Sequence, residues 1–144
     1  MNRAIENFYA KTYKIILSDI KKKGVRVIHK KMLVNKINDQ EDCGYYNPNN
    51  NIIFINIRYK NTYDGCFYLL HEYKHYLQRK YHEHKVFFGF QEKVEVFSDE
   101  KMNIIKSVET EADDYAVKIL KTYGIDYIKP EVDWNFYKKY YFGV

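Results

Sequence analysis

The sequence predicts a small α+β domain. Two long amphipathic runs carry helical periodicity, one ending near Tyr81 and one near Gly124, and a strand–turn–strand signature lies between Gly44 and Ile57. The chain has 144 residues, 46% hydrophobic and 18% aromatic, enough to bury one core and too apolar for a disordered segment. With 2 prolines, 6 glycines and no repeat or linker-like tract, residues 1–144 read as one domain. Its core spans 1–126, and 127–144 forms an aromatic-rich extension.

The elements follow in order. Ile5, Phe8, Tyr9, Ile15, Ile16 and Ile20 recur at three- and four-residue spacing, predicting an N-terminal amphipathic helix that stops at Gly24. VRVIH at 25–29 alternates as a short strand, and KMLVNKI at 31–37 suggests a helical turn or two. GYY at 44–46, the polar turn NPNNN at 47–51 and the β-branched run IIFINI at 52–57 make a hairpin. Asn61 or Thr62 caps the next helix, in which Phe67, Leu70, His71, His75 and Gln78 share one broad side. KVFFGF at 85–90 and KVEVF at 93–97 read as loop or short strand. Ser98 caps a further helix whose apolar face is Ile104, Ile105, Val108, Ala112, Tyr115, Ala116, Ile119 and Leu120, and Gly124 ends it. Pro130 is expected to open a final helix, since proline suits the first helical position.

Charge and cysteine usage narrow the functional classes. The net charge of +5 and pI near 9.0 admit an acidic partner, but the lysines are scattered apart from KKKG at 21–24 and HKK at 29–31. That pattern fits a solvated surface better than a nucleic-acid groove, so direct nucleic-acid binding is not expected. Cys43 and Cys66 lie far apart, without a CxxC pair, as free thiols do in a reducing compartment. No stretch has the uninterrupted apolar run of a secretion signal or a membrane span, and a cytoplasmic location is expected.

The chemistry concentrates at His71-Glu72-Tyr73-Lys74-His75. Residues four apart on a helix lie one turn apart and about 40° round the axis, so both imidazoles can address one cation. Zinc takes such ligands in a tetrahedral site, and catalysis needs one position left for water. Glu72, beside the first histidine, is placed to take a proton from that water. A chance HExxH arises in roughly one chain in a hundred of this composition, so the motif needs support. Support comes from SVETEADDYAVKIL, where Glu109 and Asp113 are also one helical turn apart. Glu109 can complete a His, His, Glu set, and Asp113 can accept the second ring N–H of a ligating histidine. The competing reading is a solvated acidic face, given Glu111 and Asp114 alongside. A third histidine at the HExxHxxGxxH position is excluded, because Gln78 and Tyr81 stand there.

FYLLHEYKHYLQ followed by ETEADDYAVKIL resembles the ImmA/IrrE-type metallopeptidases, with their HExxH helix and later E-x-x-A-[ND] helix. GYYNPNNNIIFIN resembles that family's hairpin, and the N-terminal helix with GVRVI resembles its opening. The likeness runs to about Asp126 and leaves the tail unplaced. It implies His71, His75 and Glu109 as zinc ligands, Glu72 as general base and Asp113 as the partner behind a ligand. It also implies cleavage of an intracellular protein, a phage or mobile-element helix-turn-helix repressor or similar regulator. The strand at 52–57 is expected to align an extended substrate by backbone pairing. Lys74 departs from the family, which prefers a small residue there, and is expected to snorkel to solvent. Tyr115, Tyr68, His82 and His84 are candidates to stabilise an oxyanion. Two other readings stand beside this one: a SprT-like DNA-associated metalloprotease, and a non-catalytic antirepressor or toxin-like binding protein with a structural zinc.

Overall fold

The computed structural model describes residues 2–90 and 94–144. Among these residues, five α-helices and two small sheets make an α+β domain. Helix α1 (Arg3–Lys22) starts where the Asn2 side chain accepts from the Ala4 N–H at 2.8 Å. It stops at Gly24, whose φ of +85° an L side chain rarely adopts. Its buried stripe is Thr12, Tyr13, Ile16 and Ile20, whereas Ile5, Phe8 and Ile15 are exposed. Tyr9 already packs on Tyr63, the first residue of the central helix, so the turn before it has nothing apolar to cover. Ile15 lies about 100° round the axis from Ile16, off the buried stripe.

Strand β1 (Arg26–Lys30) leads to a two-stranded ribbon of β2 (Val34–Asn35) and β3 (Gln40–Glu41), then to the hairpin β4 (Gly44–Asn47) and β5 (Ile52–Asn56). The ribbon replaces the helical turns expected at 31–37. Leu33 and Val34 are exposed, so no apolar face holds a helix there. The Asn35 and Asn38 side chains accept from the Ile37 and Gln40 N–H groups, turning the chain locally.

The larger sheet has the order β1-β5-β4, with β1 parallel and β4 antiparallel to β5. β5 is therefore central, which explains its continuous apolar run from Ile52 to Ile55. Both its edges are occupied, and it is not available to pair with a substrate. Among the described residues, the free edges of this sheet belong to β1 and β4.

Helix α2 (Tyr63–Lys80) lies across β4 and β5, between α1 and α4. Thr62 caps it by accepting from the Gly65 N–H at 2.9 Å. Gly65 itself is required: a Cβ there would lie 1.8 Å from the Tyr59 carbonyl oxygen. A single turn, α3 (Lys85–Phe88), follows left-handed residues at His82 and His84, where loop or strand was expected. Phe87 and Phe90 turn inward from it toward Tyr141.

Ser98 caps the long α4 (Asp99–Thr122), as expected. The last helix, α5 (Trp134–Phe142), starts four residues after Pro130. Asp133 decides its start by accepting from the Asn135 and Phe136 N–H groups, two bonds that proline cannot supply.

Two apolar clusters result. The main one joins α1, the sheet, α2 and the C-terminal half of α4 through residues such as Tyr13, Ile53, Leu69 and Leu120. A smaller one joins Met102 and Ile105 of α4 to Phe142, with Phe87, Trp134 and Tyr141 packed around it.

Candidate metal centre

The helical spacing on α2 brings His71 and His75 together with their Nε2 atoms 3.1 Å apart. α4 packs directly against this face and delivers Glu109 between them. Its Oε2 lies 3.1 Å from His71 Nε2 and its Oε1 3.5 Å from His75 Nε2. Glu72 Oε2 sits 3.9 Å from His71 Nε2, beside that triangle.

The outer nitrogens are engaged away from the centre. Asp113, one turn after Glu109, accepts from His71 Nδ1 at 2.7 Å. Gln78 Oε1 accepts from His75 Nδ1 at 2.8 Å. The orientation of the Gln78 amide is set by its nitrogen, which donates to the Val108 carbonyl at 3.2 Å and to Glu111 at 3.4 Å. Carboxylate and amide oxygens only accept here, so each neutral ring carries its proton on Nδ1 and its lone pair on Nε2.

Burial and charge work against each other at these groups. Burial alone pulls the His71 pKa down, but Glu72, Asp113 and Glu109 overcome it and hold it well above its ordinary value. Burial likewise lowers His75, and Glu109 reverses the sign. Glu109 is pushed up by burial yet held far below the usual carboxylate range by His75 and His71. Glu72 is raised, because burial outweighs the attraction of the two histidines.

His71, Glu72 and His75 form a group that could hold a metal ion, their ligand atoms all within 4.8 Å of one another. Glu109 stands closer to the histidine nitrogens than Glu72 does. A tetrahedral site with bonds of about 2.0–2.1 Å has edges of about 3.3 Å. The two nitrogens, 3.1 Å apart, are close to that edge, and Glu109 reaches them with different oxygens, Oε2 at 3.1 Å from His71 Nε2 and Oε1 at 3.5 Å from His75 Nε2. A second group, Glu83, His84 and Glu111, lies at the surface, with Lys74 Nζ already 3.9 Å from Glu111 Oε1.

No family model, curated protein or solved structure matches the chain.

The four tyrosine and histidine candidates for an oxyanion stabiliser point to other neighbours. The Tyr115 ring lies under Lys74, Tyr68 packs edge-on to Tyr59, His84 pairs with Glu111 at 2.9 Å, and His82 is exposed. Lys74 neither snorkels freely nor enters the centre, but lies along α4 between Glu111 and Tyr115. Tyr137 of α5, not singled out by the sequence, reaches the centre, where its hydroxyl donates to Glu109 Oε2 at 3.3 Å. Burial, with Glu109 and Glu72 nearby, raises its pKa and keeps it a phenol. Lys129 reaches Asp113 Oδ2 at 3.3 Å. Spacing could have flagged Gln78, three residues after His75, but only the tertiary fold reveals Tyr137 and Lys129.

Proposed function

We propose that the chain is a zinc-dependent endopeptidase acting on an intracellular protein. The single observation that carries this reading is the set of three metal-spaced donors with a fourth group, the Glu72 carboxylate, 3.9 Å from the nearest of them. His71, His75 and Glu109 would hold the ion. Bound zinc supplies Lewis acidity, acidifying water and polarising a carbonyl.

The chain's own residues do the rest. Glu72 takes the proton of the attacking water and passes it to the leaving amine, and its burial-raised pKa suits a base that must later act as an acid. Asp113 and Gln78 lock the two rings with Nε2 inward. Helix α2, which carries Glu72, packs against β4, an edge strand of the larger sheet. That strand, not β5, can align an extended substrate. A phage or mobile-element helix-turn-helix repressor remains the proposed substrate, on the resemblance to ImmA/IrrE-type enzymes.

Glu72→Gln tests the reading, because it leaves the three donors in place. The variant is expected to bind one zinc, as the wild type does, and to lose cleavage of the regulator or of an unfolded protein. Cleavage that survives with zinc bound sinks the proposal. Metal analysis of His75→Ala and Glu109→Ala tests the ligand set, and full zinc retention in both removes it.

One observation favours a non-catalytic protein with a structural zinc: the centre is closed. The side chains of His71, Glu72, His75 and Glu109 are only 8–12% exposed.

A further inference from the structure

An endopeptidase must bring a carbonyl of an extended chain to its centre, so so complete a closure has to open. The closure is formed by the C-terminal segment together with α3. Tyr137 is hydrogen-bonded to Glu109 and Lys129 to Asp113. The Phe87 ring lies 6.4 Å from that of His75, nearly parallel, and Tyr141 packs on Phe87 at 5.9 Å.

What can move is decided by packing. α1, α2, the C-terminal half of α4 and the sheet share the main buried cluster, and displacing any of them opens it to water. α5 takes part only in the smaller cluster, where Phe142 is its one buried residue and Trp134, Tyr137 and Tyr141 are half-buried. Residues 129–133, which lead into α5, have no helix or strand, and Ile128 just before them is 85% exposed. Local opening draws on the parts of a structure with few buried contacts, and α5, in which Phe142 alone is buried, is such a part.

We propose that α5, seated on α3, is an autoinhibitory cover over the candidate centre, held shut by the Tyr137–Glu109 hydrogen bond and the Lys129–Asp113 ion pair. It rests on the peptidase reading, and the structural-zinc alternative requires α5 to stay closed.

The test is carbethoxylation of the full-length, metal-free chain by diethyl pyrocarbonate, read by mass spectrometry at His71 and His75, with exposed His82 as internal reference. In the wild type both centre histidines are expected to react far more slowly than His82. The Trp134→Ala/Tyr141→Ala variant loosens α5 without touching the donors, and is expected to speed both by about tenfold. Tyr137→Phe, which removes one hydroxyl, is expected to speed them by about threefold and serves if the double variant fails to fold. Unchanged rates at His71 and His75 in a folded variant overturn the cover.

A second arm uses the zinc-loaded chain on unfolded casein. Faster cleavage by the loosened variants, abolished by adding Glu72→Gln, supports cover and peptidase together. Faster carbethoxylation with no cleavage by any variant supports a mobile α5 and sinks the peptidase reading.

Discussion

At the scale of single residues, the candidate centre is defined as much by what stands behind the histidines as by the histidines themselves. Each ring has a fixed acceptor on Nδ1, a carboxylate for His71 and an amide for His75. The amide is the less obvious of the two, and Gln78 is wholly buried to supply it. Gln78→Leu keeps the volume but leaves His75 Nδ1 without an acceptor, freeing the ring to turn. Zinc affinity is expected to fall by about 10–100-fold, the usual cost of losing a partner behind a ligand, and competition with a chromophoric chelator measures it. An affinity equal to wild type means the amide is only packing. HExxH and the Glu109/Asp113 pair were legible in the sequence because helical spacing converts directly into a shared face. Lys74 was not, because its Glu111 and Tyr115 partners come from a different helix.

At the scale of elements, periodicity located α1, α2, α4 and the β4–β5 hairpin, and failed where local side-chain chemistry competes with it. The ribbon at 34–41 forms because Asn35 and Asn38 bond their own backbone, and α5 starts at Asp133 because two N–H groups need an acceptor. Centrality of β5 was readable in principle from its unbroken apolar run, but which strand flanked it depended on the parallel β1 crossover.

α2 also shows a constraint invisible to propensity. Alanine normally stabilises a helix over glycine by about 1 kcal/mol. At Gly65 the added Cβ would meet the Tyr59 carbonyl oxygen at 1.8 Å, against backbone that cannot swing aside as a side chain does. Gly65→Ala is therefore expected to destabilise the chain by roughly 2 kcal/mol or more, the scale of overpacking. Urea denaturation reads the difference directly, and a rise in midpoint would refute the contact. Because α2 carries His71 and His75, the same variant is expected to weaken zinc binding.

At the scale of the whole molecule, the proposed centre is the polar joint between α2 and α4 at the edge of the main core. In the metal-free chain that joint is held by protons. His71 has a folded pKa raised above 6.5, so its contribution to stability is fully present below pH 6.5 and is lost as pH rises through the raised value. Glu109 has a depressed folded pKa, so its contribution is present above 4.5 and is lost only on strong acidification. Glu72, raised by burial, adds a loss that begins as pH rises above 4.5 and continues through its raised value. The metal-free chain should thus weaken as pH rises through neutrality. Zinc is expected to reverse the trend, because in the proposed centre it would occupy the Nε2 positions that protons otherwise take and bind more tightly as they leave. At a free zinc concentration about 100-fold above Kd, linkage adds about 2.7 kcal/mol to stability. The expected result is a zinc-induced rise in Tm that grows from about pH 5.5 to 7.5 and disappears in Glu109→Ala. A rise that shrinks with pH, or that survives the loss of Glu109, places the ion somewhere other than between these two helices.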